Sequence, residues 1–121
     1  MATEEKVKPI ILHDLENNED YTLEFDRDAV RFAETRGFDI DDVGKFPMIK
    51  LPELFFYAFR MHHSRVARNQ TDRILFDVLK GFPEGMGDRL IALYMIPYEA
   101  LNGKKNNEGE DQGNARMTVE L

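Results

Sequence analysis

The apolar side chains of this chain change their period at a single residue. Tyr21, Leu23 and Phe25 alternate with Thr22 and Glu24, the period of two that a half-buried strand presents. Beyond Asp26, the residues Ala29, Val30, Phe32 and Ala33 recur as on one face of a helix. Asp26 stands where an N-cap is wanted, Asp28 lies near the positive end of that helix, and Gly37 sits where a left-handed C-cap would end it. A helix from Asp26 to Arg36, about three turns long, therefore follows a strand with no spacer.

A strand needs a partner, and the segment upstream supplies one. Pro9 to His13 (PIILH) is a short apolar run, separated from Tyr21 by the polar stretch Asp14 to Asp20, in which Asn17 and Asn18 tolerate the backbone of a tight turn. The pair predicts a β-hairpin. Two strands alone are marginal in water, so the hairpin must pack on helices, and the first helix is expected to cover it.

Downstream the pattern is helical and punctuated by glycine and proline. Phe38 to Lys50 contains Gly44 and Pro47 without a steady period and reads as a connecting loop or a single short turn. Pro52 suits the first turn of a second helix running to about Ala67, with Leu51, Leu54, Phe55, Ala58, Phe59, His62 and Val66 on its main face. Thr71 is placed to cap a third helix, Asp72 to Lys80, whose stripe is Ile74, Leu75, Val78 and Leu79 and which Gly81 should stop. Pro83 to Gly103 predicts a fourth, kinked or divided by Pro97.

Residues 1–8 read as a flexible N-terminus and residues 9–102 as one globular domain. From Gly103 to Leu121 the chain is rich in Asn, Gly and charge and reads as a disordered tail. The expected fold class is α+β, mainly α-helical, with an N-terminal β-hairpin packed on about four helices.

Composition narrows the functional classes. The 121 residues include no cysteine, so disulfides and thiolate metal sites are excluded and a reducing compartment is the expectation. The acidic, polar start lacks the apolar core of an export signal, and no apolar stretch approaches the roughly 20 residues of a membrane span. A soluble, unsecreted protein with no membrane partner follows. A formal net charge of −7 repels phosphate backbones, leaving Arg60 to Arg73 as the one basic run. Its arginines are explained more simply as complements to the negative end of the second helix, so nucleic-acid binding is disfavoured.

Metal and catalytic motifs fail on spacing. His62 and His63 are adjacent, whereas two helical histidines gripping one ion want a separation of three or four. Asp39-x-Asp41-x-x-Gly44 begins like a calcium loop, but Val43 and Lys50 occupy its fifth and twelfth positions, where oxygen ligands are needed. No phosphate-binding glycine loop or nucleophile elbow occurs. No catalytic, cofactor-binding or metal residue is assigned, and a protein-binding role is the expectation. The residues for it are Phe56, Tyr57 and Met61, outside the main stripe of the second helix, with Tyr94 and Tyr98 near Pro97. The alternative, that these five complete a small core, stays open.

The hairpin end Asp20-Tyr21-Thr22-Leu23-Glu24-Phe25-Asp26, the helix start Asp28-Ala29-Val30-Arg31-Phe32-Ala33-Glu34 and the following Gly37-Phe38-Asp39-Ile40 resemble tail assembly chaperones of long-tailed bacteriophages. Leu51 to His63 fits the second helix of such proteins, and the similarity spans roughly Pro9 to Leu101. The resemblance implies a non-enzymatic chaperone of virion morphogenesis in the host cytoplasm. It would coat the tape measure protein, recruit tail tube subunits, self-associate along its client and be absent from the finished particle. It also implies a longer form made by translational frameshifting, for which Gly103-Lys104-Lys105-Asn106 could be encoded by a slippery stretch. A structural head-tail connector retained in the virion, or a small nucleic-acid-binding regulator, are the alternative expectations.

Overall fold

The computed structural model describes residues 7–103. The chain is α+β and mainly helical, with a two-stranded antiparallel hairpin at its N-terminal end and four helices. The tail expected beyond Gly103, and the first six residues, lie outside the described residues.

Strands β1 (Ile10–Asp14) and β2 (Glu19–Leu23) pair with Leu12 opposite Tyr21 and Ile10 opposite Leu23. The turn is held by Asp14, whose carboxylate accepts the Glu16 and Asn17 backbone N–H groups and the Asn17 side-chain amide. These bonds stabilise the ionised form and hold Asp14 below the usual carboxylate range. Asn18 takes the left-handed backbone conformation (φ 56°) that its side chain tolerates.

Helix α1 (Arg27–Thr35) begins as its sequence dictates, with the Asp26 carboxylate accepting the Ala29 N–H at 2.8 Å. It ends in a Schellman motif. Gly37 (φ 87°) donates to the Glu34 carbonyl, and Phe38 donates to the Ala33 carbonyl. That closure turns Phe38 inward, where it is buried. Helix α1 packs chiefly on α2 and α4, its Ala29, Val30 and Ala33 sharing one core with Leu23 of the hairpin, and β1 meets α4.

The second helix departs most from its expected limits. Helix α2 is Pro47–Ala58, with Pro47 in its first turn and Pro52 inside it. Proline is suited to the first helical position because its missing N–H would be unpaired there, and two prolines five residues apart both offer that start. Pro52 is buried, so packing offsets the lost hydrogen bond. The chain leaves the helix at Phe59, because the following segment turns to meet β2 rather than continuing to Ala67.

Helix α3 (Arg68–Arg73) begins before Thr71, which is a fully buried interior residue and not a cap. The Thr71 hydroxyl donates to the Arg68 carbonyl at 3.0 Å, and the start is satisfied instead by Gln70 Oε1, which accepts the Ala67 N–H at 2.7 Å. A π-helical turn, Ile74–Val78, continues it, with the Leu79 N–H reaching back to the Ile74 carbonyl. The wider turn breaks the expected stripe: Leu75 is buried, Ile74 and Leu79 are half-buried, and Val78 points outward. Helix α4 (Met86–Leu101) starts three residues later than expected, after Gly85 in the left-handed conformation (φ 85°), and Pro97 does not divide it.

Leu23 of β2 and Phe25 of the link to α1 meet Phe55 and Phe59 of the α2 end, Ala29, Val30 and Ala33 of α1, and Leu90, Leu93 and Tyr94 of α4 in one core. Tyr94 lies at its centre, edge-on to Phe25 (5.0 Å) and Phe38 (5.5 Å). Its hydroxyl has no hydrogen-bond partner among the described residues, and burial pushes the phenol pKa well up.

Candidate protein-binding surface

The five residues expected to form a partner face do not share one. Tyr57 is buried against Phe38 (5.4 Å), Phe56 (5.3 Å) and Phe32 (6.0 Å), and Tyr94 is at the core centre, so both are corrected from interface to core. The cause is the loop after α1, which brings Phe38 onto the side of α2 that an isolated helix would leave bare. Phe56 and Tyr98 are half-buried and line separate clefts, the first with Phe32 and Arg60, the second with Val30, Pro97 and Leu101. Met61 alone of the five is exposed.

An apolar surface exists elsewhere. Phe46, Met48 and Ile49, at 52%, 83% and 58% exposed, project from the start of α2 beside the exposed Lys45. The first turn of the helix carries them beyond the core that Leu54, Phe55 and Ala58 fill. Reading Phe38 to Lys50 as a loop concealed them. The signal that could have found them is Pro47, which is as good a first-turn residue as Pro52 and is followed by an apolar pair.

The histidine pair has a structural task. Both lie just past α2, where β2 passes the helix end. The Thr22 N–H donates to His63 Nε2 at 2.9 Å, the Glu24 N–H donates to the Ala58 carbonyl at 3.1 Å, and His62 Nε2 lies 2.8 Å from Glu24 Oε1. Tyr21 stacks edge-on against His63 at 5.3 Å. Together these contacts cover the outer edge of β2. An imidazole nitrogen that accepts a hydrogen bond must be unprotonated, which assigns the proton of neutral His63 to Nδ1.

Burial, and then the neighbouring His62, lower the pKa of His63 below its ordinary 6.5. The unfolded chain therefore takes up this proton first as the pH falls, so the stabilisation is present above about 6.5 and is lost progressively below it, as the pH falls through the lowered value of the folded state. Unfolding by urea is expected to require less denaturant at about pH 5.5 than at about pH 7.5. His63→Asn, whose amide oxygen accepts without titrating, should flatten that slope. An unchanged slope in the variant would assign the acid sensitivity to other groups.

The remaining sequence candidates resolve into structural roles. Asp39 caps the short 3-10 turn Ile40–Asp42 by accepting the Asp41 N–H at 3.0 Å. Arg60 lies 4.0 Å over the Phe32 ring, and Arg68 pairs with Asp72 at 2.9 Å. The idea that this basic run complements the end of α2 is corrected for Arg65 and Arg68, because α2 ends at Ala58 and Arg68 opens α3. Among the described residues, no group of three or more His, Cys, Asp or Glu side chains converges as a metal site would require, and no helix is long and apolar enough to cross a membrane.

A family described as a domain of unknown function (DUF5055) matches residues 1–121. No curated protein and no solved structure matches the chain.

Proposed function

We propose that this chain, which belongs to the DUF5055 family, is a non-enzymatic phage tail assembly chaperone that binds the tape measure protein and helps recruit tail tube subunits in the host cytoplasm. The observation that carries the reading is the exposed trio Phe46, Met48 and Ile49 at the start of α2. A long amphipathic client helix offers repeated apolar faces that need temporary cover, and helix-to-helix docking of apolar anchors is a recurrent way to provide it. The unbranched Met48 side chain adapts to varied client surfaces. The net charge of −7 keeps a chain with such a patch in solution and mutually repelled when it is free of client. The resemblance of the hairpin–helix–loop–helix order to tail assembly chaperones supplies the identity of the client.

The test is coexpression with the tape measure protein of the same phage. The unsubstituted chain should keep the client in the soluble fraction, and Met48→Asp with Ile49→Asp should lose most of that effect at an unchanged melting temperature. Retention of full solubilisation by the double variant would remove this surface from the function. Recovery of the chain in purified particles would favour a structural connector.

A further inference from the structure

Residues 63–67 belong to the link between α2 and α3, and they rest lightly on the rest of the protein. His63 and Val66 are half-buried, whereas Ser64, Arg65 and Ala67 are exposed. The segment is tied at both ends. Upstream, His62 Nε2 meets Glu24 Oε1 at 2.8 Å; downstream, Thr71 is fully buried. Beneath it runs a narrow cleft walled by Phe32, Phe56 and Phe59, and His63, Ser64 and Val66 close its outer side. The segment is thus a cover over three aromatic rings.

A proton acts differently on the two histidines. Nε2 of His62 faces a carboxylate and donates to it from the neutral or the protonated ring, so acid leaves this tie in place while Glu24 is ionised. Nε2 of His63 accepts the Thr22 N–H at 2.9 Å, and a protonated imidazole has no acceptor nitrogen. Two donors then face each other. An unpaired N–H and a half-buried cation both favour separation.

We propose that residues 63–67 form an acid-opened cover: protonation of His63 lifts them from β2 about the His62–Glu24 tie and uncovers Phe32, Phe56 and Phe59, with the helical core in place. Opening breaks one bond to β2 and frees two half-buried side chains, far less than global unfolding exposes, so it is reached first. The device is independent of the chaperone reading, and it gives Phe56 a surface role in the open form.

The surrounding charges do not cancel the effect. Glu19 and Asp20 share the open side of β2 with His63, but Glu19 Oε1 accepts the Tyr21 hydroxyl at 3.0 Å and Asp20 Oδ1 lies 2.8 Å from His13 Nδ1. On its own segment Arg60, His62 and Arg65 oppose a further positive charge. Helices α1 and α3 contribute the uncharged Phe32 and Gln70 to the same clefts. Burial first and His62 next hold the His63 pKa below 6.5, against a weaker upward pull from Glu19. The closed cover therefore excludes the proton that the open one accepts, and closure weakens as the pH falls below about 6.5.

Amide hydrogen exchange on the full chain between about pH 7.5 and about pH 5, expressed as protection factors, tests the opening. Protection of the Thr22 amide should fall by up to tenfold per pH unit below about 6.5, while that of Leu93 in the core stays level. Fluorescence of the apolar dye ANS should rise over the same range at constant far-ultraviolet circular dichroism. His63→Asn, which accepts without titrating, should hold both readings level. Thr22 protection that ignores pH, or that falls only together with Leu93, would overturn the proposal, and this comparison decides even if the variant does not fold. Loss of Thr22 protection without added dye binding would overturn the uncovering of the rings, and a folded variant that keeps the pH slope would remove His63 as the trigger.

Discussion

Phe55→Ala is expected to lower the unfolding free energy by about 3–5 kcal/mol, the range for truncating a fully buried aromatic. Phe55 is 0% exposed, and its ring meets Phe59 at 5.1 Å and Phe82 at 5.6 Å, so no side chain is free to fill the space it leaves. It also lies on α2, the helix on which α1, α3 and α4 all pack. Domains of this size typically have about 5–15 kcal/mol in total, so the variant should be partly unfolded at moderate temperature. Urea titration followed by far-ultraviolet circular dichroism measures the change. A loss below about 1 kcal/mol would mean that the core closes over the cavity and that Phe55 is not its centre.

Tyr57→Asp should be at least as damaging, and it separates core from surface among the residues that the sequence singles out. Tyr57 is enclosed by Phe32, Phe38 and Phe56, and none of them can pair with a carboxylate. Burial already pushes the Tyr57 phenol upward, a sign that the environment disfavours charge. Leaving a buried charge uncompensated typically costs about 3–5 kcal/mol, added to the lost ring packing. The variant is expected to be unfolded at neutral pH. Met61→Asp, at an exposed position, should keep the wild-type melting temperature within experimental error. Equal behaviour of the two variants in a thermal melt would contradict the burial assigned to Tyr57.

The N-terminal half was legible because its signals are local. Asp26 caps α1, Gly37 closes it, and Asn17 and Asn18 turn the hairpin through bonds within a few residues, so the chain carries the instructions where they act. The second helix was less legible because Pro47 and Pro52 both satisfy the rule for a helix start. Which one opens α2 depends on what packs around Pro52, and that is a distant matter. Thr71 misleads for the same reason: its hydroxyl suits a cap, and only the buried position of α3 turns it into an interior residue. The π-helical turn at Ile74–Val78 leaves no pattern that differs from an ordinary helix.

The partner surface shows the same division. Composition and failed motifs pointed toward binding rather than catalysis, but aromatic identity could not tell interface from core. A tyrosine off the main stripe of a helix is exposed only if nothing else arrives there, and Phe38, brought by the closure of α1, does arrive at Tyr57. Conversely, Phe46, Met48 and Ile49 are ordinary apolar residues in sequence and become a surface because the first turn of α2 overhangs the core.

The change of period at Asp26 was sufficient by itself to place a strand just ahead of a helix, because caps and alternation act over three or four residues; the strand closes at Leu23 and the helix opens at Arg27, so three residues link them where none was expected. Tertiary structure alone decided what that strand meets. The end of α2 turns away at Phe59 and sets His63 against the Thr22 N–H, which covers one edge of the hairpin and leaves Ile11 and His13 facing outward on the other. Hydrogen bonds between residues 41 apart are not written in any local period; they exist only where packing has already brought the two segments together.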